Sequence, residues 1–583
     1  MMSQSQRLSP AAARVLPAVL IAALAAAPAA VAAASDEGRE EFTRAFQKTL
    51  PLKAGQRLSI EHRNGDIRVR THAEPKVSID AKIRVSSSDK AGAAKFAEGI
   101  QIIAEPAGDG VSVRTVYPDK SWHFLGQGYI SYSVDYEIVM PEAAVLGVRN
   151  RFGNVDVEGL KAGSEVVNSN GKIAFRAGRG RQSLENSFGS IELAGNAGEA
   201  TIVNSNGPVM ASDIEGDLDV KSRFGKVTVA RAGKRCVVNN SNGDVTVSDV
   251  RGEATLSNSF GKLEARNIGG NLSARDTNGS LAVENVGGRA ELTGSFGSVT
   301  FIDMKNGVNA TGGNGHVIGK KVTGRVVVRN GFGAIELTDV TGAVEVENSN
   351  GKITVLDIRG PAKLVNRFGD IDGTRIGGDA TASNTNSRIS LADVEGAADV
   401  TGSFGDIRIA RVKKGVKIVT GNGRVNLADA GGVSYVKTSF GFVEAARIAG
   451  DLTVETSNAP VRVSDVKGSA SVRTSFGSIA LDGVVGAIDV DGQNGAVDVK
   501  GLRSSACQEV TARTSFAPIR IAIPDGAGYT LTARTSFGKV RTDVPVESTG
   551  TLSGEGVSGK IGNGRCKMIL TNNNGNIDLV KGK

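Results

Sequence analysis

The segment GKITVLDIRGPAKLVNRF, residues 351–368, decides the fold, because it is one copy of a unit that repeats along most of the chain. Apolar residues alternate with polar ones at Ile353 and Val355 and again at Ala362 and Leu364. This is the two-residue period of short β-strands with one buried face. Glycine opens the unit and recurs nine residues later, and glycine suits tight turns. The unit therefore predicts short strands separated by at least two turns.

The unit recurs without insertions or deletions between residues 152 and 494. Phe-Gly pairs follow one another every 36 residues from Phe152 to Phe476, and an asparagine stands halfway through each interval, from Asn170 to Asn494. The basic step is therefore 18 residues, and a glycine marks every step except those occupied by Ser387 and Ala459. A strict period is typical of a solenoid whose units pack only against their neighbours. Strands one coil apart then pair in parallel at about 4.8 Å per coil, which gives a body about 95 Å long.

We predict an all-β protein, a parallel β-solenoid (β-helix) of about 20 regular coils of 18 residues each. A small α+β region caps its N-terminal end and irregular coils close its C-terminal end, because an open end would expose unpaired backbone. The predicted divisions are a signal peptide at residues 1–34, an N-terminal capping region at 35–148, the regular solenoid at 149–502, and C-terminal coils with a cap at 503–583.

The first residues predict export. Arg7 and Arg14 supply positive charge, residues 15–33 supply an apolar stretch, and the alanines before Ser35 offer a cleavage site for signal peptidase. An uncleaved membrane anchor is the competing interpretation. No later segment is apolar enough to span a membrane, so we expect no integral membrane segment after cleavage. The expected location is the periplasm, the cell surface or the extracellular space.

The composition excludes one class of partner. Lys and Arg number 69 against 61 Asp and Glu, and aromatic residues make up only 4% of the chain. A nucleic-acid-binding surface would concentrate basic residues with aromatic residues between them, and this chain spreads both thinly. We therefore expect no nucleic-acid partner.

Three columns of residues repeat along the predicted solenoid. The phenylalanines alternate with asparagines, so equal rings lie two coils, or about 9.6 Å, apart; we expect a buried stack at a corner, with an exposed apolar stripe as the alternative. A second column alternates in charge and is interpreted as a structural ladder that holds the coils in register: Asp357, Arg375, Asp393, Arg411, Asp429, Arg447 and Asp465. A third column is expected to stack amides and hydroxyls along the axis: Asn168, Asn186, Asn204, Asn240, Asn258, Asn348, Asn366, Asn384, Thr438, Thr456 and Thr474.

We find no catalytic constellation in the sequence, and we predict neither a cofactor nor a metal site. The four histidines are scattered; His62 and His72 flank one strand and are expected at the surface. Cys507 and Cys566 are both C-terminal and either form a disulfide in an oxidising compartment or remain buried thiols. Loops that would wall a substrate cleft are also missing from the repeat, so we expect no enzyme activity.

The N-terminal region is irregular and holds an aromatic segment. Helices are predicted from Glu40 to Lys48 and from Lys90 to Glu98. Between Tyr117 and Tyr136 lies the only tryptophan of the chain. Structurally, these rings would plug the open end of the solenoid. Functionally, they would form a surface for a sugar or a protein partner, for which the candidates are Trp122, Phe124, Tyr129 and Tyr132.

Several segments resemble the bacterial putative-adhesin family of exported β-strand-repeat proteins. They are LSIEHRNGDIRVR at residues 58–70, YEIVMPEAAVLGVRNRFGNVDV at 136–157, units such as NSNGKITV at 348–355, and KIGNGRCKMILTNNNGNIDLV at 560–580. The resemblance implies adhesion by analogy. Together with the uninterrupted coils that carry no catalytic site, it predicts a noncatalytic exported protein that acts as an adhesin-like or cell-envelope scaffold or binding protein. Its expected partner is an envelope component, glycan or protein of unknown identity, and self-association is a further expectation. The alternative function is a carbohydrate-binding or carbohydrate-active protein that uses the aromatic segment.

Overall fold

The computed structural model describes residues 40–118, 130–548 and 554–582, and its regular body is a parallel β-solenoid of about 21 turns. Each coil contributes one strand to each of two sheets. Strands one coil apart pair in parallel with the predicted offset, so that Ile353 lies beside Ile371 and Ala362 beside Ala380. Alternate side chains point inward and are buried, as Val355 and Leu364 show. The predicted fold class is confirmed.

Seven strands and one helix precede the regular body. They are β1 (Glu40–Pro51), β2 (Arg57–Glu61), β3 (Ile67–His72), β4 (Lys76–Ser87), α1 (Lys90–Gly99), β5 (Gln101–Ala107), β6 (Gly110–Val116) and β7 (Ser131–Pro141).

The regular body contains strands β8 to β48. In chain order they are Val145–Phe152, Val155–Glu158, Ser164–Asn170, Ile173–Gly178, Gln182–Phe188, Ile191–Asn196, Ala200–Asn206, Val209–Ile214, Leu218–Phe224, Val227–Ala232, Cys236–Asn242, Val245–Val250, Ala254–Asn258, Leu263–Ile268, Leu272–Asp276, Leu281–Val286, Ala290–Gly294, Val299–Met304, Val308–Gly312, Val317–Val322, Val326–Asn330, Ile335–Val340, Val344–Asn348, Ile353–Ile358, Ala362–Asn366, Ile371–Ile376, Ala380–Asn384, Ile389–Val394, Ala398–Gly402, Ile407–Val412, Val416–Val419, Asn422–Ala430, Ser434–Ile448, Leu452–Asn458, Val461–Val466, Ala470–Thr474, Ile479–Val484, Ile488–Gly492, Val497–Lys500, Val510–Thr514 and Ile519–Ile523. Strands that lead into the Phe or Asn motif pair with one another, as do strands that follow the motif; β40 runs through the motif at Phe440 and belongs to both sets.

At the N-terminal end the chain does not stack in sequence order. Strands β2 and β3 form a coil that lies between β8 and β9 on one side and β6 and β7 on the other. Strand β1 pairs with β4 along its whole length, so the helix predicted from Glu40 to Lys48 is wrong; pairing with a neighbouring strand overrides the local preference. Helix α1 confirms the second predicted helix, and the Asp89 side chain accepts a hydrogen bond from the Ala91 amide at its start.

At the C-terminal end, too, one coil lies out of chain order. Its strands are β49 (Tyr529–Thr535), β50 (Val540–Thr542), β51 (Glu547–Ser548), β52 (Gly556–Ile561), β53 (Cys566–Asn572) and β54 (Ile577–Lys581). The last coil, β53 with β54, is inserted between β47 with β48 and β49 with β50. A disulfide joins Cys507, in the loop before β47, to Cys566 at the start of β53. The inserted coil is thus held covalently to the body.

Candidate functional surface

The phenylalanine column is exposed, so the expectation of a buried corner stack is wrong. The exposed fraction of these side chains runs from 42% at Phe152 to 80% at Phe537. A buried amide occupies the corner instead: Asn366 Nδ2 donates to the carbonyl oxygens of Gly351 at 2.8 Å and of Gly369 at 2.7 Å. Because this amide fills the interior of the turn, the ring two residues later points into solvent.

The exposed column continues in space where the chain order is broken. Asn64 pairs with Phe152 in the next coil, and the registers of β53 with β47 and β49 set Asn574 between Phe516 and Phe537. Phenylalanine and asparagine therefore alternate without exception over 24 coils. We call these 24 residues the phenylalanine edge; in spatial order they are Asn64, Phe152, Asn170, Phe188, Asn206, Phe224, Asn242, Phe260, Asn278, Phe296, Asn314, Phe332, Asn350, Phe368, Asn386, Phe404, Asn422, Phe440, Asn458, Phe476, Asn494, Phe516, Asn574 and Phe537.

The asparagines of the phenylalanine edge form hollows between the rings. Asn350 Nδ2 donates to the carbonyl oxygen of Gly331 at 3.3 Å, and Asn386 Nδ2 donates to that of Arg367 at 3.1 Å. Each of these carbonyls belongs to the residue before the phenylalanine of the preceding coil. Each amide is thus bound to the backbone of the preceding coil. The edge is therefore a row of rings with a polar hollow midway between each ring and the next.

The hydrogen bonds of the third column, the buried asparagines, differ from those expected from the sequence. Asn348 and its equivalents are buried, as the pattern suggests. However, Asn348 Nδ2 donates to the carbonyl oxygens of Gly333 at 3.0 Å and Gly351 at 2.9 Å. Among the described members of this column, a direct amide-to-amide bond joins only Asn240 to Asn258. These amides hold the motif turns of two successive coils together, because buried carbonyls need partners.

One member of this buried column is a carboxyl group. Asp276 is fully buried; its Oδ1 accepts a hydrogen bond from the Gly279 amide at 2.8 Å, and its Oδ2 has no partner within the described chain. Burial raises the pKa of this carboxyl. The neighbouring coil carries Asn258 at the same position. An amide is the residue that the site suits.

We expect Asp276→Asn to stabilise the solenoid at neutral pH by on the order of 1 kcal/mol, because it removes an uncompensated buried charge. The raised pKa means that the carboxyl disfavours folding when it is ionised, so the difference between the two proteins should shrink as the pH falls through the raised folded-state pKa towards the unfolded-state value of 3.8, and should not change further below it. Hydrogen exchange of the amides around residue 276 at pH 7 and pH 4 measures it. A loss of protection at pH 7 would contradict the prediction.

The charge ladder lies at the other turn of each coil. Arg375 forms two hydrogen bonds with Asp357, at 2.5 and 2.8 Å, and Arg411 forms two with Asp393, at 2.6 and 2.9 Å. Arg447 binds Asp429 in the same way. The hydrogen bonds from Arg375 hold the pKa of the Asp357 carboxyl below its usual range. Because these groups are exposed, we infer that the ion pairs hold successive coils in register and add little to the free energy of unfolding.

The backbone conformation of this ladder was not predictable from the residues that form it. Asp357, Arg375 and Asp393 have φ values of 58°, 56° and 57°, in the left-handed region. Each such residue bends the strand so that the next apolar residue, Ile358 in this coil, turns inward and closes the core. Short polar side chains tolerate this conformation better than β-branched ones, but arginine has no such preference.

The histidines are not brought together. His62 is buried, so the surface expectation is wrong for it. Its Nδ1 lies 3.0 Å from Thr115 Oγ1, and its ring meets that of Tyr136 edge-on at 5.0 Å. Burial lowers the pKa of His62 to about 4. His72 Nδ1 instead accepts a hydrogen bond from the Glu74 amide at 2.8 Å.

The N-terminal cap should therefore be acid-labile. The lowered pKa means that the neutral ring favours the folded cap; this stability is complete above pH 6.5 and is lost as the pH falls towards about 4. We expect proteolysis within β2 to β6 to accelerate over that interval. The His62→Asn variant should not show this dependence, because Asn150 occupies the same position one coil further on. Equal acid sensitivity in both proteins would exclude the histidine as the cause.

Of the four candidates in the aromatic segment, the structure describes one. Tyr132 is half-buried in the cap and packs against Phe96 and Tyr117, with ring centroids 5.1 and 5.3 Å away. Trp122, Phe124 and Tyr129 lie outside the described residues.

Within residues 40–118, 130–548 and 554–582 there is no cluster of three or more side chains that would bind a metal ion. Over the same ranges, no helix has the length and apolar character to cross a membrane. Cys236 is buried, and burial raises the pKa of its thiol to about 12, so this sulfur is a protonated core atom.

Comparison with known proteins identifies no family. No model of a known protein family matches the chain, and no curated protein matches it. Among solved structures, the chain is similar to a putative cell adhesion protein from Clostridium sporogenes. The two are 10% identical over 54% of this chain and 99% of that chain, with a TM-score of 0.12.

Proposed function

We propose that this chain is a noncatalytic, exported scaffold of the cell envelope, adhesin-like in character, whose phenylalanine edge is its binding surface. The observation that carries the proposal is the unbroken alternation of exposed rings and asparagines over 24 coils. Soluble monomers rarely expose large contiguous apolar patches, and those that do generally bind something with them. Twelve exposed rings along one edge exceed the needs of the fold, since the amide column already fills the corner.

The alternation of phenylalanine and asparagine holds in space and not only in sequence. A repeat copied along the gene would preserve an 18-residue period, yet Asn64, Asn574 and Phe537 lie outside that period and still continue the pattern. The spatial order of rings and asparagines along the phenylalanine edge is therefore kept where the sequence period is broken. Such an order is useful to a binding partner that lies along the edge.

Export and family membership belong to the same proposal. The apolar stretch of residues 15–33 is the proposed signal, and the Cys507–Cys566 disulfide suits an oxidising compartment outside the cytoplasm. Membership of the adhesin-like family rests on the quoted segments, which correspond to the two inserted coils and the regular units.

Retention by the cell envelope tests the function. The mature protein is mixed with envelope fragments of its own organism, and the amount that sediments with them is measured. We expect Phe332→Ser, Phe368→Ser and Phe404→Ser together to reduce retention at least ~10-fold, because interfaces depend on a few buried aromatic anchors. The matched control replaces Met210, Val433 and Ile569, which are exposed apolar residues outside the edge, by serine. Equal loss in both variants, or loss in neither, would overturn the proposal.

A further inference from the structure

We infer that the partner of the phenylalanine edge is a second copy of the same chain, bound antiparallel so that the rings of each copy enter the asparagine hollows of the other. This inference rests on the proposed function, because it names the occupant of the same surface. Three features of the edge support it: the spacing of the rings, the order of the positions, and the area that is exposed.

The spacing leaves room for a partner's rings. Neighbouring phenylalanines of the edge are about 9.6 Å apart, because they lie two coils apart. Aromatic rings pair favourably with centroids about 4.5–7 Å apart, so these rings are too distant to pair within one chain. The ring pairs found among the described residues all lie in the N-terminal cap, away from the edge. A ring inserted from a second copy above each asparagine would lie about 4.8 Å from both of its neighbours.

The order of the positions selects the antiparallel arrangement. The edge begins with Asn64 and ends with Phe537, and its number of positions is even. When a second copy is turned end for end and overlapped completely, Asn64 therefore meets Phe537, and at the centre Phe332 meets Asn350. Every ring then faces an asparagine. A two-fold axis parallel to the solenoid would instead place each ring beside its own equivalent.

Only a partner with the same repeat stays in step along the whole edge. A mismatch of about 0.5 Å per ring would accumulate to about 5.5 Å over eleven intervals, which is more than half of the ~9.6 Å repeat. A second copy has this repeat by construction, as no irregular protein surface does. The interface is also large enough. About half of each ring's area, roughly 100 Å², is exposed, so twelve rings bury on the order of 1,200 Å² per copy, against about 800 Å² in a standard stable interface.

Sedimentation of the purified mature protein, in its disulfide-bonded form, tests the association. We expect a dimer at micromolar concentration. In the variant with Phe332→Ser, Phe368→Ser and Phe404→Ser, the dissociation constant should rise at least ~100-fold, because three rings of each copy are lost from the centre. The variant with Met210→Ser, Val433→Ser and Ile569→Ser should remain dimeric. Since all six side chains are exposed, circular dichroism should show the same fold in both variants.

Cross-linking tests the direction. Phe188 faces Asn494 in the antiparallel dimer, so a mixture of Phe188→Cys and Asn494→Cys proteins should cross-link with a short bismaleimide. The Phe188→Cys protein alone should not. Cross-linking of Phe188→Cys alone would show a parallel arrangement and would overturn the inference.

The two proposals fail separately. A protein that is monomeric at all concentrations, but whose envelope retention still depends on the three rings, would overturn the second copy as partner and leave the proposed function standing. A protein whose dimerisation depends on the rings, but whose envelope retention does not, would overturn the proposed function and leave the second copy as partner standing. Loss of neither property in the ring variant would overturn both.

Discussion

Gly225→Ala is expected to open the solenoid at one coil and to cost about 3 kcal/mol or more of local stability. Gly225 has a φ of 136°, which side-chain-bearing residues avoid, and a Cβ atom there would lie 2.2 Å from the carbonyl oxygen of Gly207 in the preceding coil. A change of side-chain rotamer cannot relieve the clash, because the Cβ atom would meet the backbone of the adjacent coil. Hydrogen exchange should show lost protection in the coils on both sides of residue 225.

A solenoid should confine this damage, because each coil contacts only its neighbours. Protection near residues 400–480 is therefore expected to stay unchanged in Gly225→Ala. The matched control is Ser387→Gly, at an equivalent position where the chain already accommodates a side chain and φ is not positive. This control should cost less than about 1 kcal/mol. An equally large effect at both positions would show that the glycine column is not set by close packing of successive turns.

The regular fold was predictable because a strict period converts sequence distance into spatial contact. Once residues 18 apart are neighbours, the parallel pairing of Ile353 with Ile371 and the burial of Val355 and Leu364 follow from alternation alone. Helix α1 was predictable for a similar reason, since it depends on local signals such as the Asp89 cap.

The direction of the phenylalanines was not predictable from hydrophobicity. A large apolar residue two places after a buried position is expected inside, and Phe368 follows Asn366 at that distance. The buried amide takes the interior because it satisfies the carbonyls of Gly351 and Gly369, which no apolar side chain could do. A polar residue at every inward corner position was the available signal that the corner was already occupied.

The order of the terminal coils depends on contacts between distant segments, which a period cannot reveal once it is broken. The motif at Asn574-Gly575 marks a coil but not its place in the stack. One signal was available: Phe516 and Phe537 would be adjacent in sequence order, and an asparagine between them restores the alternation.

Deletion of residues 566–583 is expected to unfold the whole C-terminal cap and not only the last coil. Met568, Leu570, Ile577 and Leu579 of this coil are fully buried, and each contributes about 2 kcal/mol, which together amounts to roughly 8 kcal/mol. Strands β49 and β50 contact the body through this coil, so both lose their parallel partner although they precede it in the chain, and β49 keeps only its antiparallel pairing with β52. Limited proteolysis should cut the truncated protein between residues 524 and 560, which the full chain should resist.

Deletion of residues 40–51 is the matched control at the other end. It removes the 12 residues of one strand, but β1 is outermost and pairs only with β4, so β2 and β3 should keep their protection. The two deletions should thus differ far more in effect than in length, because one removes an edge strand and the other removes a coil from within the stack. If β49 stayed protected after the C-terminal deletion, then β49 would stack directly on β47, the coils would follow chain order, and the phenylalanine edge would lose its alternation at Phe516 and Phe537.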